Sequence, residues 1–120
     1  MDMQIEEKNG ITIIHLRGKL FGGSFTDELS SVLHKLLDEG KKNFILGLDG
    51  VTILNSSGFG IIVGTFTTIR NGGGQLKLAG ISSHINELFS ITKLNKIFQQ
   101  YASIEDAVKS FEQSDPKMSN

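Results

Sequence analysis

The sequence predicts an α/β fold in which a β-hairpin opens a mixed, mostly parallel sheet and about four helices pack on it. Three observations lead to this prediction. The chain begins with strand-like sequence on both sides of an Asn-Gly pair, its apolar residues then recur at helical spacing, and short apolar runs alternate with helical segments afterwards. The length of 120 residues fits one domain.

The first half of the chain supplies the hairpin, one helix and a central strand. Residues 3–8 and 11–17 are the predicted hairpin strands, because the Asn-Gly pair between them is the two-residue signal of a type I′ turn. Helical spacing predicts a helix over 25–39, with Ser24 as its N-cap. The apolar run 43–49 is too short for a helix, so we expect a central, parallel strand that is buried on both faces.

The second half continues the alternation of helices and strands. Its predicted elements are, in order, a helix from residue 57 that the glycines at 72–74 end, a strand over 75–79, a helix over 82–91, a short strand over 97–101 and a helix over 103–111. Residues 1–112 form the predicted domain. Residues 113–120 lack an apolar pattern and predict a disordered C-terminal tail.

Composition and charge disfavour several classes of function. Twelve Lys and Arg against 13 Asp and Glu give a net charge of -1 with both signs interspersed, which disfavours nucleic-acid binding. The chain has no Cys, and its three His form no metal motif, so we expect neither a metal nor a cofactor. No stretch reaches the roughly 18 apolar residues of a membrane span, and the start lacks a secretion signal, so we expect a cytoplasmic protein.

The loops expected to carry function follow the carboxyl ends of the parallel strands, at residues 18–24, 49–57 and 80–83. The run 55–60, Asn-Ser-Ser-Gly-Phe-Gly, enters a predicted helix, whose N-terminus carries unpaired N–H groups and favours a phosphate. Helix capping is the alternative explanation, but a cap does not need three polar residues and two glycines.

Other functions fit the motifs less well. A dinucleotide-binding fingerprint would need Gly where Val63 stands. Catalysis would need convergent acids and bases, whereas Asp49 is the only carboxylate expected at a strand end near this edge, without a His or a second acid beside it. We therefore expect that the protein is not an enzyme.

The run 51–60, Val-Thr-Ile-Leu-Asn-Ser-Ser-Gly-Phe-Gly, resembles the D-S-S-G-L-G signature of bacterial anti-sigma factor antagonists, the single-domain STAS proteins. Residues 18–20, 76–81 and 94–98 fall in the order and spacing of that family's other landmarks. The resemblance covers roughly residues 3–111, and it implies a STAS-like fold and a STAS domain over 1–112.

The resemblance also implies a regulatory binding module. Its unphosphorylated form would bind an anti-sigma factor that is a serine/threonine kinase and so free the sigma factor. Phosphorylation of the motif's first serine, here Ser56, would end the binding, and a phosphatase would act on the phosphorylated form. The implied partner surface consists of Phe21, Gly22, Gly23, Asn55, Ser56, Ser57 and Gly58. We expect Ser56 to precede the helix and to be the acceptor, with Ser57 capping the helix or entering its first turn.

Two departures from the family pattern concern this surface. Asn55 stands where the family commonly has Asp, although Asn caps a helix about as well. Phe21 also stands where the family commonly has Asp, which suggests a different partner surface. Two alternatives stay open: a STAS scaffold subunit of a signalling or lipid-transport assembly that is never phosphorylated, and a small-ligand binder that uses the loops around Gly22-Gly23 and Ser56.

Overall fold

The computed structural model describes residues 2–93 and 96–113, and it confirms the predicted α/β architecture. The elements in chain order are β1 (Asp2–Lys8), β2 (Ile11–Leu20), α1 (Ser24–Asp38), β3 (Asn43–Leu54), α2 (Ser56–Asn71), β4 (Gln75–Ala79), α3 (Ser83–Thr92), β5 (Gln99–Tyr101) and α4 (Ile104–Gln113). Of the predicted tail over 113–120, Gln113 is the last residue of α4, and the rest lies outside the described residues.

In the described part of the chain the sheet has the strand order β1-β2-β3-β4-β5. β1 pairs antiparallel with β2, and the other neighbours are parallel. Asn9 (φ 55°) and Gly10 (φ 78°) both have the positive φ that a type I′ turn requires, which confirms the predicted hairpin. β3 is central and residues 44–48 are buried, as the apolar run predicts.

Two apolar layers hold the helices against the sheet. α1, α2 and α3 cover one face, where Leu29, Ile62 and Phe89 pack in the main core cluster. α4 covers the other face with Val108 and Phe111. With consecutive parallel strands side by side, right-handed crossovers place their helices on the same face. Because β2 and β3 are parallel neighbours, their carboxyl ends and the starts of α1 and α2 lie at the same end of the sheet.

β2 and β3 are longer than the sequence pattern predicts. The prediction ended the third strand at Asp49, whereas the strand continues through Gly50. The β2–β3 register shifts just before Arg17, and a Cβ on Gly50 would lie 2.8 Å from Arg17 Cγ. Glycine thus permits the close approach of a bulged strand pair. Asp49 therefore lies inside β3, and the expectation that it ends a strand is wrong.

Candidate functional site

Two chain segments meet at the carboxyl ends of β2 and β3. The loop 21–23 joins β2 to α1, and Asn55 alone joins β3 to α2. Leu20 and Leu54 are partners in the parallel pairing of the two strands, so both connections begin side by side. The Asn55 N–H donates a hydrogen bond to the Leu20 carbonyl at 3.4 Å, which ties the two connections together.

Asn55 is the N-cap of α2. Its side-chain oxygen accepts a hydrogen bond from the Gly58 N–H at 2.8 Å, and its carbonyl accepts one from the Phe59 N–H at 2.9 Å. The expectation that Ser56 precedes the helix is therefore wrong, because Ser56 is the first helical residue and Ser57 the second. The cap is supplied by Asn55, so neither serine hydroxyl is needed for it.

Glycines allow the two segments to approach each other. A Cβ on Gly58 would lie 1.8 Å from the Leu20 carbonyl oxygen, which leaves no room for a side chain. Gly22 has a φ of +92°, and a Cβ there would lie 3.0 Å from Ser57 Cβ. Gly23, with a φ of 73°, is the N-cap of α1, so the expectation that Ser24 caps this helix is wrong. The predicted site residues from both loops are thus brought together.

Gly58 differs from the other predicted partner-binding residues because it is buried, whereas Gly22 is half-buried and the rest are exposed. Its environment assigns it a packing role, in which the missing side chain makes space for the backbone of β2. Gly58 therefore positions the surface and contributes no side chain to it.

The two serines of the motif have different surroundings. Ser56 is exposed, and its hydroxyl makes no hydrogen bond to another described residue. Ser57 is also exposed, but its side chain lies against Gly22 and lines a groove between α1 and α2. The two serines thus differ in that the side chain of Ser57 lies against the β2–α1 loop.

The N-terminus of α2 is electrostatically suited to an anion. Its first turn contains no acidic residue, and Asn55 contributes a neutral amide where an Asp would bring a negative charge. The N–H groups of Ser56 and Ser57 have no acceptor within the helix, and the helix dipole places partial positive charge here. A phosphate on Ser56 would meet these groups without a carboxylate in the same turn.

Two exposed apolar side chains lie at the same end of the sheet. Phe21, in the β2–α1 loop, is 46% exposed, which is compatible with its place in the implied partner surface. Ile53 is 47% exposed and was not among the predicted partner-binding residues; its place in a strand was also missed, because residues 49–57 were expected to form a loop. The alternation Val51-Thr52-Ile53, which is typical of a strand, was the signal for it.

A groove of about 220 Å³ runs between α1 and α2, beside the serines. It is lined by Thr26, Leu29, Ser30, Leu33, Ser57, Gly60, Ile61, Gly64, Thr65 and Thr68. Two of the α2 residues, Gly60 and Gly64, have open space where a Cβ would be. The groove next to Ser57 therefore combines glycines and small polar residues with the largely buried aliphatic side chains of Leu29, Leu33 and Ile61.

Two further findings apply to the part of the chain that the structure describes. No group of three or more His, Cys, Asp or Glu side chains there is placed to hold a metal ion. Among the same residues, every helix is too short or too polar to span a bilayer.

The comparisons with known proteins agree with this fold. The model of the STAS domain matches residues 2–107. The anti-sigma-B factor antagonist of Bacillus subtilis is 39% identical over 62 residues, which are 52% of this chain and 57% of that protein. The anti-sigma-B factor antagonist of Staphylococcus aureus (strain NCTC 8325 / PS 47) is 31% identical over 70 residues, 58% of this chain and 65% of that protein.

A solved structure has the same fold. The Bacillus cell fate determinant SpoIIAA in its phosphorylated form superposes with a TM-score of 0.72 at 19% identity, over 92% of this chain and 99% of that chain. The matches to the curated relatives span less than two thirds of their length. Because the STAS model covers most of the chain, this protein belongs to the STAS domain family, as the motif at 51–60 predicts.

Proposed function

We propose that this protein is an anti-sigma factor antagonist whose unphosphorylated form binds an anti-sigma factor serine/threonine kinase, and that phosphorylation of Ser56 ends the binding. The observation that carries the proposal is the exposed Ser56 hydroxyl at the first position of α2, which Asn55 leaves free of a capping role. ATP would be bound by the kinase, and a phosphatase would restore the binding form.

The domain is expected to remain folded when Ser56 carries a phosphate. The phosphate would sit beside unpaired N–H groups at the positive end of α2, in a first turn without acidic residues. The Asn55 cap bonds to Gly58 and Phe59 and does not use the Ser56 side chain. Phosphorylation can therefore act on the surface while the helix stays intact.

Binding to the partner is expected to weaken because the phosphate enters a surface that must lose its water. It adds about -1.5 to -2 charges at pH 7, together with the bulk of three oxygens. The modified residue lies next to Ser57, which contacts the loop that carries the exposed Phe21. A charge placed there, in a patch that combines an aromatic side chain with backbone and small side chains, opposes desolvation against a partner.

The comparisons support this choice among functions of the family. The B. subtilis and S. aureus relatives are named anti-sigma-B factor antagonists, and both are more than 30% identical to this chain over the matched residues. SpoIIAA, which shares the fold, has been solved in a phosphorylated form. A domain of this fold can therefore carry a phosphate and remain folded.

A pull-down from the native host, followed by mass spectrometry of the bait, tests the proposal. We expect an anti-sigma factor kinase among the captured proteins, and a single phosphate on the peptide that contains residues 56 and 57. Fragmentation should place this phosphate on Ser56. Ser57→Ala is the matched control and should still be labelled by the kinase, whereas Ser56→Ala should not. Labelling of Ser57 alone, or no labelling by any anti-sigma kinase of the host, would contradict the proposal.

A further inference from the structure

β1 is a long strand at the open edge of the sheet. It has seven residues and pairs with β2 on one side, and no other described residue pairs with its outer edge. The opposite edge strand, β5, has only three residues. Natural proteins usually protect long edge strands with charged side chains, proline, bulges or a covering segment, because an unpaired strand edge is a template for another strand. The charged residues of β1, Asp2, Glu6, Glu7 and Lys8, are of both signs, so they disfavour only those partner strands that oppose like charges to them. β1 contains no proline, and its register with β2 is regular.

The hairpin geometry identifies which backbone groups of β1 face outward. In a two-residue hairpin the residues that flank the turn, here Lys8 and Ile11, form a hydrogen-bonded pair, and the two kinds of pair then alternate along the strands. The N–H and C=O groups of Gln4 and Glu6 therefore face β2. Those of Met3, Ile5 and Glu7 face the open edge, where a further strand would find them.

We propose that β1 pairs with β1 of a second copy of this chain, antiparallel and centred on Ile5, so that two sheets join into one. This register places Met3, Ile5 and Glu7 opposite Glu7, Ile5 and Met3 of the second copy. Each of these three residue pairs exchanges two backbone hydrogen bonds, as hydrogen-bonded pairs in antiparallel strands do, so the dimer gains six. The arrangement has two-fold symmetry, which makes the interface the same patch on both copies.

The side chains of β1 are complementary to themselves in this register. Asp2 stands opposite Lys8 of the second copy, and this ion pair occurs twice. Ile5, 43% exposed in the single chain, packs against its own copy. Glu7 accepts a hydrogen bond from the Thr12 hydroxyl at 2.8 Å and lies 3.5 Å from Lys41 Nζ, so its charge is already compensated.

The neighbouring two-fold registers are less favourable. A register centred on Gln4 would oppose Asp2 to Glu6 of the second copy, and one centred on Glu6 would oppose Glu6 to itself. Like charges directly opposite each other destabilise a strand pair. Only the register centred on Ile5 avoids these oppositions while it pairs all three outward-facing residues.

The dimer leaves the Ser56 surface open. A two-fold axis perpendicular to the sheet keeps α1, α2 and α3 of both copies on the same face, and the two copies of β2 run in opposite directions. The two Ser56 sites then lie at opposite ends of the joined sheet. An edge formed by a single strand buries little area, so the association is weak and reversible.

Sedimentation velocity tests this proposal with the whole chain, over protein concentrations from about 10 µM to about 1 mM. We expect the wild type to change reversibly from monomer to dimer within this range. Asp2→Lys and Lys8→Asp should each weaken dimerisation threefold or more, because each places like charges opposite each other twice. The double variant Asp2→Lys/Lys8→Asp should restore it. Lys109→Asp, an equal charge change at an exposed position of α4, is the matched control and should leave dimerisation unchanged.

A backbone variant provides a second, independent test. Ile5→Pro removes an outward-facing N–H and leaves the hydrogen bonds to β2 in place, so it should abolish the dimer while circular dichroism still shows a folded domain. A wild type that stays monomeric throughout would overturn the proposal. A dimer that the single charge reversals do not weaken, or that the double variant does not restore, would also overturn it.

Discussion

The close approach of α2 to the end of β2 should make Gly58 intolerant of any side chain. The Cβ of Gly58→Ala would lie 1.8 Å from the Leu20 carbonyl oxygen, against at least 3.4 Å for ordinary van der Waals contact. That oxygen belongs to a fully buried residue and also accepts the Asn55 N–H, so it is held in place. Relief of the overlap requires the helix start and the β2–α1 loop to separate.

The expected loss of stability follows from this overlap. Forcing extra atoms into packed structure typically costs 1–3 kcal/mol or more, and here the clash is with backbone, so we expect a loss of about 3 kcal/mol or more. For a domain of this size that corresponds to a drop in Tm of about 10 °C or more. Urea denaturation followed by circular dichroism is the appropriate assay, because the chain contains no Trp for fluorescence.

Gly60→Ala is the matched control, two residues further along the same helix. A Cβ at Gly60 would meet nothing within 4 Å, so the substitution should only remove the conformational freedom of glycine. We expect it to stabilise the domain by about 0.5–1 kcal/mol. Equal stability of Gly58→Ala and wild type, or equal losses in both variants, would refute the argument that Gly58 is required by proximity to β2.

Two further predictions use the same denaturation assay. Asn55→Ala should lower the free energy of unfolding by about 1 kcal/mol because the Gly58 N–H loses its acceptor, whereas Asn55→Asp should retain the cap; equal losses in both variants would contradict the assigned role. Phe21→Ala should lower stability by only about 1 kcal/mol, because the side chain is 46% exposed, and should weaken binding to the anti-sigma kinase, while the same change at fully buried Phe44 should cost about 3–5 kcal/mol. A large stability loss in Phe21→Ala with unchanged affinity would remove Phe21 from the binding surface.

Local signals in the sequence predicted most of the fold. The Asn9-Gly10 pair specifies its turn through the φ values that these two residues tolerate, so its hairpin could be predicted without the rest of the chain. The bounds of β4, Gln75–Ala79, agree with the predicted ones because turn-forming glycines precede the strand and another glycine follows it. The hairpin turn and the bounds of β4 could thus be predicted because they depend on residues that are close in the sequence.

Features that depend on contacts between distant residues could not be predicted in the same way. Nothing in the local sequence states that Gly58 lies against Leu20, so its burial was missed. From the sequence alone, Asn55, Ser56 or Ser57 could cap α2. Asn55 is the cap because its side chain reaches the Gly58 N–H, which only the folded structure shows. The continuation of β3 through Gly50 depends on the bulged pairing with β2, and it places Ile53 in a strand where the sequence predicted a loop.

Calorimetry with the anti-sigma kinase tests most directly whether charge on Ser56 controls partner binding. Ser56→Ala should bind like the unphosphorylated wild type, and Ser56→Asp should bind more weakly by about 1–3 kcal/mol, with both variants folded. Ser57→Asp places the same charge one residue further along α2. A comparison of its affinity for the kinase with that of Ser56→Asp shows whether the effect depends on the position of the charge. An affinity of Ser56→Asp equal to that of wild type, with Ser56→Ala also unchanged, would contradict control of binding by charge at Ser56.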